Sequence, residues 1–265
     1  MSNPLYAFPA ACEQTLRALA RYPERTAFSW PGGSITYRGA TDMIGRMQAV
    51  FMQLGFEPGT RVAFLTANRA DTWCAGVAAQ LSRLAITWLH PLGSLDDQLF
   101  QLEDSEAQML VVDGVTFRDR GGELAARASS LKTVFTLGPA DYGADLLQAI
   151  EAAGSATARN FARLDDIATL NYTGGTTGKS KGALRHHREY GGWANAILAD
   201  FEIPDTPRYL TVAPISHVAG TKVLPTLMRG GTVHMLKGFD PEAVFKTIAR
   251  EKINFTLLVP TMIYV

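Results

Sequence analysis

The chain reads as an α/β protein built from two βα-layered subdomains, with mostly parallel sheets covered by helices. Two observations predict this. Short apolar runs such as Met109-Leu-Val-Val112 alternate with segments whose apolar residues recur at helical spacing, the pattern of parallel strands joined by helical crossovers. The alternation occurs twice, before and after a glycine-rich segment at 172–182. Composition permits such a fold: 47% of the 265 residues are hydrophobic and 19% charged, enough to bury a large core.

In chain order, Ala10 to Tyr22 is an amphipathic helix. Thr26 to Trp30 and Ser34 to Tyr37 flank Pro31-Gly-Gly, a hairpin signal. Gly39 to Leu54 has helical period, and Gly55 suits its C-cap. Strand runs at 61–66 and 85–89 enclose a helix at 70–84; a helix at 95–104 then leads to the buried-strand run 109–113, with a further strand at 131–137. Residues 138–163, rich in Ala and Gly, are mixed helix and connector. After the glycine-rich segment come a helix at 191–201, a strand at 208–213, a helix at 218–228 and a strand at 232–236. Asp240-Pro-Glu is a strong helix start: an N-cap, proline at the first helical position and an acid in the first turn. That helix runs to about Glu251, a strand follows at 254–259, and Pro260 opens another element. The expected division is 1–60 (helices and hairpin), 61–205 (first α/β subdomain) and 206–265 (part of a second).

Bulk properties bound the function. Lys plus Arg equals Asp plus Glu at 25 each, so no global field favours nucleic acid or an anionic membrane. Two cysteines, Cys12 and Cys74, suggest a reducing compartment, although one bridge stays open. The N-terminus lacks a basic stretch leading into an apolar run, and no stretch is long enough to span a bilayer, so a cytoplasmic location is expected.

The segment Tyr172-Thr-Gly-Gly-Thr-Thr-Gly-Lys-Ser-Lys-Gly182 carries the chemistry. Glycines let successive backbone N–H groups point into one concavity, and such a nest holds phosphate oxygens. Threonine hydroxyls add donors and a lysine adds positive charge. Thr173 to Ser180 fits G-x-x-x-x-G-K-[ST] at every position but the first. A P-loop lysine opens a buried helix, however, and the residues from Lys181 to Glu189 are a glycine and a charged stretch. A plain strand-to-loop turn is the simpler alternative and needs only one or two glycines.

The segment resembles the phosphate loop of the adenylate-forming superfamily, which includes acyl-CoA synthetases and reads Tyr-Thr-Ser-Gly-Thr-Thr-Gly-x-Pro-Lys-Gly. Gly174 stands where serine is usual and Ser180 where proline is usual. Ser34-Ile-Thr-Tyr-Arg-Gly, Leu54-Gly-Phe-Glu-Pro-Gly, Ala213-Pro-Ile-Ser-His-Val-Ala-Gly220, Gly230-Gly231 and Phe239-Asp-Pro-Glu are similar to further family elements in the same order. The resemblance implies the N-terminal part of the large domain of an acyl-CoA synthetase-like ligase. It places the magnesium-binding glutamate, the adenine and ribose contacts and a C-terminal domain beyond Val265.

It also implies the reaction: a carboxylate attacks Mg-ATP to give acyl-adenylate and pyrophosphate, and a thiol, usually of CoA, takes the acyl group. The acid is fatty or aromatic. Thr173, Gly174, Gly175, Thr176, Thr177, Gly178 and Lys181 would hold the β- and γ-phosphates. Lys181 and His217 are the catalytic candidates, and His217, Val218, Ala219 and Gly220 the pocket candidates, with core packing an equally good account of Val218, Ala219 and Gly220. No metal ligand is assigned. From the residues themselves, Lys179 and the Arg185–Arg188 cluster read as solvated charge, His186 and His187 as a loop-to-helix surface, His90 as structural, Asp113 as a strand-end turn, and Trp73 and Trp88 as core. Two other readings stay open: a non-catalytic nucleotide- or acyl-binding module, and a P-loop NTPase.

Overall fold

A computed structural model describes residues 9–173 and 180–264. Helix α1 (Ala11–Arg21) precedes the hairpin of β1 (Thr26–Trp30) and β2 (Gly33–Thr36), followed by α2 (Tyr37–Gln53). Next come β3 (Arg61–Leu65), α3 (Ala70–Leu81), β4 (Ala85–Trp88), α4 (Leu95–Asp104), β5 (Met109–Val112), α5 (Arg118–Arg127) and β6 (Thr133–Thr136). Then follow β7 (Ala144–Asp145), α6 (Leu146–Ala152), β8 (Ile167–Thr173), β9 (Lys181–His186), α7 (His187–Asp200) and β10 (Arg208–Thr211). A 3₁₀ turn (Val218–Lys222) leads to α8 (Val223–Met228), β11 (Thr232–Met235), α9 (Pro241–Glu251), β12 (Phe255–Thr256) and α10 (Pro260–Ile263).

Two sheets form. The larger has seven strands in the order β7-β6-β5-β3-β4-β8-β9, all parallel except the antiparallel β8–β9 pair. The smaller has five, β12-β10-β11-β1-β2, with only β1–β2 antiparallel. The N-terminal hairpin thus joins a sheet whose other strands lie some two hundred residues downstream, a pairing that sequence order does not reveal.

Strand alternation sorts the side chains into layers. In β3, Val62 and Phe64 enter a central core while Ala63 and Leu65 enter an outer one; in β5, Met109 and Val111 face in and Leu110 and Val112 face out. Leu19 of α1, Ile44 of α2, Cys74 of α3, Leu146 of α6, Ala194 of α7 and Leu227 of α8 share the central core with Phe28, Tyr209 and Val233 of the smaller sheet. Leu102 of α4 and Leu124 of α5 cover the outer face of the larger sheet, and Val244 of α9 covers that of the smaller. The result is helices, sheet, helices, sheet, helix.

The predicted caps are present. Asp240 accepts from Ala243 N (2.7 Å) with Pro241 following, and Gly55 has φ +66° just past the end of α2. Other expectations change. Helix α2 starts two residues early, because the Thr36 hydroxyl accepts from Gly39 N (3.1 Å). Helix α5 was not anticipated, since its low apolar content and paired glycines disguise it. Gly121 is there for contact: a Cβ would lie 2.1 Å from Tyr142 Oη. The charged stretch after the glycine-rich segment is a strand, β9, whose position at the sheet edge suits exposed polar residues. The helix expected at 218–228 opens as a 3₁₀ turn, and the strand expected at 254–259 keeps only Phe255–Thr256.

His187 is a correction. It is fully buried rather than on a surface, because α7 turns in against α1 and sets its Nδ1 3.5 Å from Cys12 Sγ. Both cysteines are buried and free. Among the described residues no helix is long and apolar enough to cross a membrane.

One side chain joins the two sheets. Asn68, buried after β3, donates from Nδ2 to Ala213 O (3.1 Å) and Leu236 O (3.0 Å), and its Oδ1 accepts from Ile215 N (2.8 Å). Asn68→Ala removes all three bonds and strands their partners, so urea unfolding should show a loss of about 3 kcal/mol. Asn68→Asp keeps the acceptor but sets a carboxylate against two carbonyls, and should be at least as damaging. Burial also holds His187 at about 4, against its ordinary 6.5. Between those values the unfolded chain binds the extra proton, so the stabilising contribution is whole above pH 6.5 and is lost as pH falls towards 4. Unfolding measured from pH 7 to 4.5 should show this fall, with a smaller slope in His187→Gln; the full term is about 3 kcal/mol.

Candidate functional site

Strand β8 brings the motif Tyr172-Thr173 to its C-terminal end, the end at which open α/β sheets bind ligands. Thr173 pairs with Lys181 across the β8–β9 hairpin, and Thr173 Oγ1 lies 3.4 Å from Lys181 O. Lys181 and Thr173 are both exposed. Gly174, Gly175, Thr176, Thr177, Gly178 and Lys179 lie outside the described residues. The chain leaves the segment in a strand antiparallel to β8, whereas a P-loop must open a helix.

The second motif forms a tight turn. His217 N donates to Pro214 O (3.0 Å) and Gly220 N to His217 O (3.0 Å). A Cβ on Gly220 would fall 1.8 Å from Ile215 O, so the turn requires glycine there. Ala219 is buried and its carbonyl accepts from Tyr209 Oη (2.9 Å), anchoring the turn to β10, in keeping with the packing alternative for this position. His217 and Val218 are exposed.

These elements meet at one cleft of about 220 Å³, lined among others by Asn171, Tyr172, Arg185, Ser216, His217 and Val218. The Tyr172 hydroxyl donates to Asp104 Oδ2 (2.6 Å), fixing the end of β8 against α4. Ser216 Oγ is 2.8 Å from His217 Nδ1, leaving Nε2 for a ligand. The His90 ring stands edge-on to His217, centroids 4.5 Å apart. Partial desolvation, and secondarily His90, hold His217 at about 4, so it is neutral at pH 7. Arg185 lies over the Trp193 ring at 5.7 Å, half-buried in the wall rather than on a solvated face.

Adjoining the cleft is a small chamber of about 60 Å³ between α1, α3, α7 and α8. Trp88, Tyr190, Trp193, Ile215 and Thr221 line both spaces, whereas Gly220 and Trp73 belong to the chamber alone. Trp73 and Trp88, expected as core, pack against the central core and also line the chamber.

The match to known proteins runs along this framework. Residues 16–265 match the family described as AMP-binding enzyme. The chain belongs to that family. It is 32% identical to a medium/long-chain-fatty-acid–CoA ligase of Mycobacterium tuberculosis over 93% of this chain and 44% of that protein. To a feruloyl-CoA synthase of an Amycolatopsis species it is 29% identical, over 91% of this chain and 46% of the relative. The solved o-succinylbenzoate CoA synthetase of Bacillus subtilis, in complex with its acyl-adenylate intermediate, superposes with a TM-score of 0.80 at 25% identity, covering 95% of this chain and 62% of that one. The chain spans about half the length of the curated relatives it matches.

Sequence reading did not single out three residues at or beside this candidate cleft. Arg185 sat in a charged run that reads as surface until β9 is seen as the cleft's edge. His90 looked structural, although its place just past the C-terminal end of β4 was a usable signal. Ser216 had no signal beyond adjacency to His217. Asp113 is the strand-end turn expected of it, accepting from Thr116 N (3.1 Å) and ion-paired with Arg69.

The paired histidines yield a test. In an NMR titration of this chain, the His217 ring should stay neutral down to about pH 4. His90→Ala removes a like-charged neighbour and desolvating bulk, so the His217 midpoint should rise towards 6.5; an unmoved midpoint would show the rings to be independent.

Proposed function

We propose that this chain forms the carboxylate- and phosphate-handling part of an ATP-dependent acid–CoA ligase. One observation carries the reading: Tyr172, leading into the glycine-rich segment, and His217 of the second motif line the same cleft. A phosphate-gripping segment next to a pocket is what activation of an acid by ATP demands. A carboxylate is a poor electrophile, and joining it to AMP supplies a good leaving group. Both reactants are anions, so cations and preorganised donors must offset their repulsion.

In this reading the 173–178 backbone and hydroxyls, with Lys181, grip the β- and γ-phosphates and stabilise the departing pyrophosphate. Thr173 and Lys181, exposed and paired at the mouth of the hairpin, fit an anionic ligand. His217 is neutral, so its Nε2 can hydrogen-bond a carboxylate or its adenylate without a competing ion pair. Arg185 adds positive charge on the opposite wall. CoA would take the acyl group in the second half-reaction. Magnesium would supply further positive charge to offset the phosphates; among the described residues no group of three or more His, Cys, Asp or Glu side chains is placed to hold it. The acid is fatty or aromatic, as in the relatives' names.

Lys181→Ala should slow pyrophosphate release from ATP plus acid by about 10²–10³-fold, the scale of losing one charge-stabilising group. A panel of carboxylic acids with pyrophosphate readout measures it. Unchanged release would remove Lys181 from the proposal, and phosphate release without any acid would remove the ligase reading itself.

A further inference from the structure

Helix α4 meets the chain on both sides of the glycine-rich segment. Gln98, Gln101 and Asp104 recur at three-residue spacing, which sets them along one side of the helix. Asp104 Oδ2 accepts from the Tyr172 hydroxyl (2.6 Å), and the Phe100 ring stands edge-on to that of Tyr172, centroids 6.4 Å apart. Burial first, and the Asp104 bond second, push the Tyr172 hydroxyl above its ordinary pKa, so it stays a donor at neutral pH. One turn back, Gln101 Nε2 donates to Ser180 Oγ (3.5 Å). Tyr172 precedes residues 173–178 and Ser180 follows them, so one helix holds both flanks.

The helix is itself firmly seated. Leu102 is fully buried in the outer core, and Gln98 is held from two directions: its Nε2 donates to His90 O (2.8 Å) and its Oε1 accepts from Arg120 Nη1 (2.8 Å). Gln101 is only 7% exposed, yet its Oε1 has no partner. A half-satisfied buried carboxamide is a poor choice for packing alone, where leucine would serve better. Ser180 stands where the loop it resembles carries proline. A proline ring restricts the backbone, whereas a serine hydroxyl both donates and accepts and so can meet either face of the Gln101 amide.

We propose that Gln101 and Asp104 are positioning residues for the phosphate grip: through Ser180 and Tyr172 they fix its two ends, and Gln101 supplies the restraint that a proline would give. This rests on reading the glycine-rich segment, with Lys181, as that grip.

The sign of the charge makes the test decisive. Asp104 is an anion beside a segment read as binding anions, so Coulomb repulsion alone predicts that losing it tightens binding. Positioning predicts the reverse for any variant that cannot accept the Tyr172 hydroxyl. With inorganic pyrophosphate as the probe and calorimetry as the measurement, Asp104→Leu should weaken binding about tenfold, while Asp104→Asn, which keeps an acceptor oxygen, should bind at least as tightly as the parent. Gln101→Leu and Ser180→Ala should each weaken it about threefold, and the double variant no more than either alone. Ser180→Pro should restore affinity in the Gln101→Leu background. In steady-state pyrophosphate release, kcat/KM for ATP should fall by similar factors while KM for the acid stays unchanged.

The proposal is overturned if folded Asp104→Leu binds pyrophosphate as tightly as the parent, if Asp104→Asn weakens it as much as Asp104→Leu, or if the Gln101→Leu and Ser180→Ala losses add. Should Gln101→Leu fail to fold, the two variants of Asp104, which is exposed, decide alone. A parent that binds pyrophosphate beside unaffected variants removes the brace and leaves the grip. A parent that does not bind it removes the grip reading, and the brace with it.

Discussion

The geometry of the site depends on how firmly the two sheets are held against each other, and Asn68 is the point of contact that matters most. Its amide spans from the end of β3, in the larger sheet, to the ends of β10 and β11 in the smaller. A fully satisfied buried amide specifies one arrangement, because any slip leaves a carbonyl or an N–H unpaired in a dry environment. The bonds to Ala213 and Ile215 fall immediately before the turn that presents His217. The residue that registers the sheets therefore also sets where the imidazole stands relative to Tyr172, which comes from the other sheet.

Much of the fold was legible because its signals are local. Asp240-Pro241 announces α9, the 31–33 turn announces the first hairpin, and Met109 to Val112 can only be a buried strand. Non-local facts were not legible. Nothing in Thr26 to Trp30 says that it pairs with Thr232 to Met235. Helix α5 hides because Gly121 is chosen for its contact with Tyr142, not for helix propensity. Strand β9 hides because an edge strand with one exposed face carries polar residues that look like loop.

The site divides the same way. Tyr172, Thr173, Lys181 and His217 belong to motifs, and motifs are read from spacing. Arg185, His90 and Ser216 stand out only through their positions around those motifs, and position is a tertiary fact. Ala219 shows why neighbours of a motif residue need not share its surroundings. In a tight turn successive side chains point different ways, and here His217 and Val218 reach the cleft while Ala219 packs beneath Tyr209.

The neutrality of His217 bears on how one pocket, in the proposed reading, could meet both an anionic carboxylate and the uncharged acyl carbonyl of an adenylate. An imidazolium would bind the free carboxylate tightly and lose that attraction once the carboxylate became a mixed anhydride, so its binding energy would favour the ground state. A neutral imidazole whose Nδ1 accepts from Ser216 would donate through Nε2 to either species, and in the proposed reading the charge required by the phosphates is kept on Lys181 and Arg185. Desolvation in the cleft and the edge of His90 keep His217 in that neutral form. Differential binding of the transition state is what accelerates a reaction, and separating the uncharged contact to the acyl group from the charged grip on pyrophosphate places the strongest electrostatic term where negative charge grows.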